Sequence, residues 1–288
     1  MRFAFIAKHR GIWQTRLMCR TLGVSRAGFY EWLGRSESDR AKANRELLAV
    51  IRDSFAQSDQ TYGSPRVWRD LIAWGYRCSE NRVARLMLAA GLKARRKRRR
   101  LPEDVGVRPE HSIAPNLLDR QFEATAPNQR WVADFTYIWT DEGWLYFAVV
   151  LDLFSRRIVG WSMSQEMTAE LVTDALVMAL WRRGKPRELL HHSDQGSQYT
   201  SERFQTLLSE FGITCSMSRR GDVWDNSAME SFFSSLKTER TTRSRYRTRH
   251  QARADVFDYV ERFYNIRRRH STIGYVSPAE FESMAATV

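Results

Sequence analysis

The sequence predicts an α/β mixed-sheet core preceded by all-α, helix-turn-helix-like modules and followed by a helical tail. Three observations carry this. Apolar residues fall at helical spacing before residue 100, strand-like runs alternate with helices from residue 128, and helical spacing returns after residue 250. Four of the seven prolines crowd into residues 101–127, where the apolar periodicity lapses. Charge is segregated: residues 1–120 carry a net +13, residues 121–240 a net −4 and residues 241–288 a net +4. The divisions expected are 1–40, 41–100, 101–127 (a linker), 128–240 and 241–288.

With 288 residues the chain suits about two domains of ordinary size. At 43% hydrophobic, with ten Trp and fifteen Phe, it can bury a sizeable core. A net charge of +13 points to a polyanionic partner. Arg-rich terminal surfaces with no such role are the plainer explanation of the flanks. Cys19, Cys78 and Cys215 are scattered, which implies no disulfide framework and no Cys-based zinc site. No apolar run has the length of a membrane span, and MRFAFIAKHR is too short and too charged for a signal peptide.

The elements follow in order. Leu17, Met18 and Leu22 end a helix at Gly23, and Ser25 caps another carrying Phe29, Tyr30, Trp32 and Leu33. Helix, Gly-containing turn and helix is a helix-turn-helix outline. Leu47, Leu48, Ile51 and Phe55 mark a further helix. Ser64-Pro65 opens one around Val67, Trp68, Leu71 and Ile72, and Ser79 opens one through Val83, Leu86 and Met87 to Gly91. Trp13, Trp32, Trp68 and Trp74 read as helical core rather than base-stacking platforms. The run Lys93, Ala94, Arg95, Arg96, Lys97, Arg98, Arg99, Arg100 follows at once and suits nucleic-acid phosphates. A helical bundle that mediates assembly is the competing reading of this half.

Trp131–Thr140 and Trp144–Leu153 read as strands joined by a hairpin at Asp141-Glu142-Gly143, and Ile158–Met163 as a third strand. Helix Glu170–Arg183, strand Glu188–His192, helix Glu202–Phe211, strand Ile213–Met217 and helix Asn226–Glu239 complete the core. This element order is that of a ribonuclease-H-like fold. In the tail, Val256, Tyr259, Val260 and Phe263 form one stripe, and Pro278 begins a last helix.

Within that frame three carboxylates stand out. Asp134 interrupts an apolar strand, Asp194 follows a second one, and Glu230 lies on a helix whose Met229, Phe232, Phe233 and Leu236 form the buried stripe. Fifty-nine residues separate the first two and thirty-five the last two. A charge in an apolar strand is costly unless it is paired or bound to metal. Phosphodiester chemistry by two divalent ions needs oxygen ligands from rigid, converging elements. Asn226, Glu230, Ser234 and Lys237 form a polar line beside the stripe, with Lys237 set to touch a DNA backbone. Taken singly, Asp134 reads as an edge-strand charge, Asp194 as an Asx-turn residue and Glu230 as a surface charge. Asp152 reads as a turn former, and Asp225 as the cap of the Glu230 helix. His191 and His192 point to opposite faces, so at most one approaches the metal; His192 reads as a support behind the ligands or a DNA contact, with simple packing as the equal alternative. Asn226 is placed beside it, supporting the ligands.

The segments NQRWVADFTYI (128–138), HSDQGSQY (192–199) and GDVWDNSAMESFFSSLKTE (221–239) resemble the catalytic core of bacterial insertion-sequence DDE transposases. The group is that of second-reading-frame, OrfB-type proteins, whose core is similar to that of retroviral integrases. HSTIGYVSPAEF (270–281), GVSRAGFYEW (23–32) and YGSPRVWRDL (62–71) fit as well, so the resemblance covers nearly the whole chain. It implies Asp134, Asp194 and Glu230 as catalytic metal ligands for two Mg²⁺ ions, with Mn²⁺ as a substitute, and Lys237 as a contact to the DNA end. It implies cleavage that frees a 3′-OH, then attack by that 3′-OH on another phosphodiester. Terminal inverted repeats and target DNA would be the double-stranded partners, handled by a homo-oligomer in the bacterial cytoplasm, at the nucleoid. Retroviral integrases carry a His/Cys zinc module; His9 and His111 lack Cys partners here, so no zinc is expected. The group also has a first-frame product, often fused upstream by frameshifting. This chain begins at Met1 and holds no heptad run, so it reads as the second-frame product alone. Two rivals remain: a non-catalytic DNA-binding regulator of transposition, and a nuclease or resolvase on the same fold.

Overall fold

The computed structural model describes residues 1–95, 114–219 and 223–286. Of the basic run, Lys93 and Arg95 are therefore described, and Arg96, Lys97, Arg98, Arg99 and Arg100 lie outside the described residues. The chain divides into two units, Met1–Asp53 and Ser54–Val288. No helix among the described residues is long and apolar enough to cross a membrane.

The first unit holds α1 (Arg2–His9), α2 (Thr15–Thr21), α3 (Arg26–Gly34) and most of α4 (Asp39–Gln57). Gly23, at φ +62°, turns the chain between α2 and α3, and the Ser25 hydroxyl accepts the Gly28 N–H at the start of α3. Ile6, Met18, Cys19 and Phe29 fill the small core. Trp13 and Trp32 do not join it. Half of Trp13 faces solvent, stacked on His9, and Trp32 lies over the Phe3–Phe29 pair at the rim. Three short helices enclose too little volume for an indole, which corrects the expectation that these tryptophans are core.

The second unit opens with α5 (Ser64–Ala73) and α6 (Glu80–Ala89). Pro65 sits in the first turn of α5, where its missing N–H costs nothing. Val67 and Leu71 of α5 and Val83 and Met87 of α6 are buried. Trp68 is half-buried and donates its indole N–H to the Cys78 carbonyl, whereas Trp74 at the end of α5 is largely exposed.

A five-stranded sheet forms the centre: β1 (Arg130–Thr140), β2 (Gly143–Asp152), β3 (Ile158–Ser164), β4 (Leu190–Ser193) and β5 (Thr214–Met217), in the order β3-β2-β1-β4-β5. The first three strands are antiparallel, and β4 and β5 run parallel to β1. Gly143, at φ +107°, closes the two-residue turn at Asp141-Glu142. One face of the sheet packs on α7 (Ala169–Arg182) and α8 (Glu202–Glu210). Trp131, Ala133, Ala148, Val150 and Val159 there meet Leu171, Ala175, Leu176, Ala179, Phe204 and Leu208. The other face carries α9 (Ser227–Glu239) and α10 (Arg249–Asp258), with Phe233 of α9 edge-on to Phe147 of β2. Helix α10 runs on into a π-helical turn at Tyr259–Tyr264, and α11 (Pro278–Ala286) closes the chain. The expected stripe of Val256, Tyr259, Val260 and Phe263 is fully buried.

Residues 114–127 are laid along the core instead of spanning free of it. The Leu117 and Leu118 N–H groups both donate to the Ser216 hydroxyl of β5, and Leu118 is buried. Polar anchors of this kind leave no apolar period to read. At the far end of β2, Asp152 is buried and accepts from the N–H groups of Asn128 and Phe154 and from Arg183. It turns the chain, as its sequence position suggests.

Helix α7 approaches β3 at Gly160, where an added Cβ would stand 2.2 Å from the Ala175 carbonyl oxygen and 2.7 Å from the Ala179 nitrogen. Backbone cannot yield as a side-chain tip can. Gly160→Ala should therefore lift α7 from the sheet and cost on the order of 3 kcal/mol or more. The denaturation midpoint checks this; a variant as stable as wild type would show that the approach is looser than described.

Candidate active site

Strand β4 pairs with β1 only at Arg130, Trp131 and Val132. Beyond Val132 no described strand lies on that side of β1 until the isolated bridge between Thr140 and Tyr246. Asp134 falls in this gap. β4 ends at Ser193, which puts Asp194 at its carboxyl end, where open α/β sheets place their sites. Helix α9 covers the same edge, tied there by Asn226, whose side-chain amide donates to the Ala133 carbonyl at 3.1 Å.

Both aspartates are held by their local backbone. Asp134 is half-buried and accepts the Phe135 N–H at 2.7 Å. Asp194 accepts the Gly196 N–H at 2.9 Å, an Asx turn. Gly196 is needed for closeness, since a Cβ there would stand 2.9 Å from the Asp194 Oδ1. On α9, Met229, Phe232, Phe233 and Leu236 are buried while Glu230 and Lys237 are exposed, as the helical spacing requires.

The electrostatics join these residues. The Asp134 carboxyl is pushed up to about 8, first by burial and then by Asp194; the Phe135 N–H opposes this, Glu230 adds to it, and Lys237 draws it down. Burial lowers the Lys237 ammonium, and Asp134 raises it back. The Tyr199 hydroxyl is pushed well above its ordinary range by burial, then by Asp134 and Asp194. The three acids and the lysine picked out in the sequence thus act on one another at one strand edge. Among the described residues, no three His, Cys, Asp or Glu side chains already converge as a finished metal-ligand set. What the edge presents is hard oxygen donors, with Lys237 and the Phe135 and Gly196 amides among the groups that offset their charge. That donor set fits a divalent cation such as Mg²⁺.

Two expectations change. His192 is fully buried with both ring nitrogens engaged, by the Ser216 hydroxyl at 2.9 Å and the Ser218 hydroxyl at 3.1 Å. Burial pushes it down to about 4, so it is a neutral clamp between β4 and β5, open to neither metal nor DNA. His191 packs against Phe204 with no hydrogen bond to its ring among the described residues, and burial pushes it down to about 3. Asp225 does not cap α9, whose N-cap position is Asn226. Burial would raise Asp225, but the Arg219 N–H and guanidinium and the Arg120 guanidinium hold it below the usual range. With Asn116 also donating to it, Asp225 ties residues 116–120 and 219 to the head of α9.

Sequence reasoning missed how the other end of α9 is fixed. Glu239 receives Arg268 through two nitrogens at 2.7 and 2.9 Å and the Tyr259 hydroxyl at 2.7 Å, all buried. Arg95, singled out as a DNA contact, instead donates to the Glu239 carbonyl at the end of α9. Lys93 is exposed. An Arg and a Glu twenty-nine residues apart gave no periodic signal.

Comparison with known proteins fits this arrangement. Residues 124–223 and 211–278 match two models of the integrase core domain, and residues 42–100 match an HTH-like domain. The chain is 43% identical over 286 residues to the transposase InsF for insertion sequence IS3A of Escherichia coli K12, covering 98% of this chain and 99% of that protein. It is 40% identical over 264 residues to a 31 kDa protein of insertion element IS600 from Shigella sonnei, covering 92% and 97%. A structure of the HTLV-2 integrase catalytic core domain in complex with magnesium is similar at 17% identity and a TM-score of 0.41, over 55% of this chain and 98% of that one. With identity at this level sustained over almost the full length of both chains, the protein belongs to the insertion-sequence transposases of the IS3 family, integrase-core enzymes of the polynucleotidyl transferase class.

Proposed function

We propose that the chain cleaves and joins DNA strands at the ends of an insertion sequence, in a divalent-metal-dependent reaction on Asp134, Asp194 and Glu230. One observation carries the reading: Asp194 and Glu230, far away in sequence, both raise the cost of charging Asp134 at an open strand edge, with Lys237 as its counter-charge. Two Mg²⁺ ions, or Mn²⁺ in their place, would supply activation of the attacking oxygen and stabilisation of the leaving one.

The protein's own residues do the rest. Asp134, held by the Phe135 N–H, and Asp194, held in its turn by Gly196, are the rigid ligands. Glu230 reaches the site from α9, and Asn226 and Glu239 fix that helix at its two ends. Lys237, 5.6 Å from the Tyr137 ring centroid, offers an ammonium to a DNA phosphate beside the reacting bond. Water serves as nucleophile in the first step and the freed 3′-OH in the second, so no covalent bond to the protein forms. Lys93, Arg96, Lys97, Arg98, Arg99 and Arg100 would grip phosphates outside the site, and a homo-oligomer would bring two terminal inverted repeats together. A first-frame protein, free or fused upstream, would add end recognition.

Incubating terminal inverted-repeat DNA with Mg²⁺ tests the assignment. Wild type should join strands, and Glu230→Gln should lose joining by more than about 100-fold, beyond the loss typical for outer partners of metal ligands, while retaining DNA affinity. Equal joining by both would remove Glu230 from the chemistry. Binding with no joining by wild type, under Mg²⁺ or Mn²⁺, would favour the regulator reading. Hydrolysis of hybrids or junctions without joining would favour the nuclease.

A second outcome concerns stability. Because the folded Asp134 pKa of about 8 lies above the ordinary carboxylate value, the folded metal-free protein holds a proton that the unfolded chain releases. Its stability should therefore fall as pH rises from 5 to 8. Asp134→Asn should flatten that fall and raise the metal-free Tm at pH 8. Mg²⁺ should raise the wild-type Tm far more than the variant's, since only a ligand of the folded state stabilises it. A variant less stable than wild type at pH 8, with an unchanged response to Mg²⁺, would contradict the clustered-carboxylate description.

A further inference from the structure

The hairpin end of the sheet leaves three large rings in water. Tyr137 is 56% exposed, Trp139 57% and Trp144 42%. They share one face: the register sets Tyr137 opposite Tyr146 and Trp139 opposite Trp144, and alternation puts Tyr137 and Trp139 on the side of Ala133 and Phe135. That face is covered by α7 lower down, where Ala133, Ala148 and Val150 are buried, but not here. Trp144 stands edge-on to both neighbours, 4.8 Å from Trp139 at 74° and 4.9 Å from Tyr137 at 78°. In a T-shaped contact an edge meets one face of its neighbour, and the opposite face of that neighbour is left clear of the pair.

The rim of this patch is cationic. Lys237 lies over the Tyr137 ring, and Arg249 donates to the Trp144 carbonyl at 3.0 Å. Arg245, 86% exposed, pairs with Asp141 at the turn, and the Glu142 carboxylate takes the Arg249 backbone N–H. Exposed aromatic faces edged by Lys and Arg have the makeup of a surface that stacks nucleobases and holds their phosphates. The placement adds register. At the rise of a strand, Tyr137 lies about 10 Å and Trp139 about 17 Å along β1 from Asp134. Those are the lengths of about three and five stacked nucleotides. Alternation turns Asp134 to the other face, and the two faces connect around the strand margin, where Lys237 both acts on Asp134 and lies over the Tyr137 ring.

We infer that Tyr137, Trp139 and Trp144 form a stacking platform for unpaired DNA bases three to five nucleotides from the phosphodiester held at Asp134. The inference rests on the strand-transfer reading of that site. It assigns the platform to single-stranded or frayed DNA ends rather than to paired duplex, whose bases are already stacked.

The test uses the full chain in EDTA, where no strand chemistry occurs, with a single-stranded oligonucleotide bearing 2-aminopurine four nucleotides from its 3′ end. Wild type and Trp139→Phe should quench the probe on binding. The double variant Tyr137→Ala, Trp139→Ala should lose the quench and bind at least about five-fold more weakly, with wild-type affinity for fully paired duplex. Glu230→Gln should quench like wild type, so failure of strand joining and failure of the platform are separate results. Undiminished quenching by the double variant would overturn the platform. So would a double variant that keeps the quench but changes sedimentation, since the rings would then belong to a contact between copies of the chain.

Discussion

The α9 side of the sheet depends on the buried ion pair of Glu239 and Arg268. Helix α9 holds Glu230 near enough to Asp134 for the two charges to repel, a term that its buried stripe and its end contacts must outweigh. At its C-terminal end Glu239 is gripped by Arg268 and Tyr259 from the tail, its carbonyl is taken by Arg95, and Arg66 of α5 stands 3.9 Å away. Such a pair, once out of water, stabilises less than its Coulomb attraction suggests, yet removing one partner leaves a buried charge that costs several kcal/mol. The same junction draws α5 in, through Tyr62 accepting the Arg269 N–H and Asp70 receiving the Arg269 guanidinium. It explains why residues from Ser54 to the end of the chain form one unit rather than three.

The chain thus separates stabilisation from chemistry by face. The α7 side of the sheet is almost wholly apolar and packs so closely that Gly160 admits no methyl group. Apolar burial there supplies the driving force for folding. The α9 side concentrates the polar terms: two clamps of hydrogen-bonded ions, a pair of serines on a neutral imidazole, and a carboxylate cluster that works against the fold. A rigid apolar floor is what lets the opposite face carry groups that would otherwise push it apart.

Much of this was legible in the residues. All five strands and the helices of the core fall within a few residues of their sequence positions, because each carries a clean period bounded by Gly, Ser or Asp. The acids Asp134, Asp194 and Glu230 were visible as charges in apolar surroundings. Asp225, His192 and Arg95 were misplaced for a common reason. Their partners, Arg120, Ser216 and Glu239, are distant in sequence, so no local pattern records them. Residues 114–127 read only as a linker, since hydrogen bonds to Ser216 and Asp225 replace apolar periodicity as their anchor. The tryptophans of the first unit look like core by type but are too large for the volume three short helices enclose.

The gap beside β1 has a consequence for solubility. From Ala133 to Trp139 no other described strand pairs with one margin of β1; α9 lies along its start, and a strand margin left unpaired is a template for joining another chain. Asp134 breaks that margin with a charge and Lys237 leans across it. Charges at such positions are a common defence against edge-to-edge association. The residues proposed to make the site reactive would thereby also keep the protein from polymerising through it, and neutralising them exchanges lower repulsion for a stickier sheet.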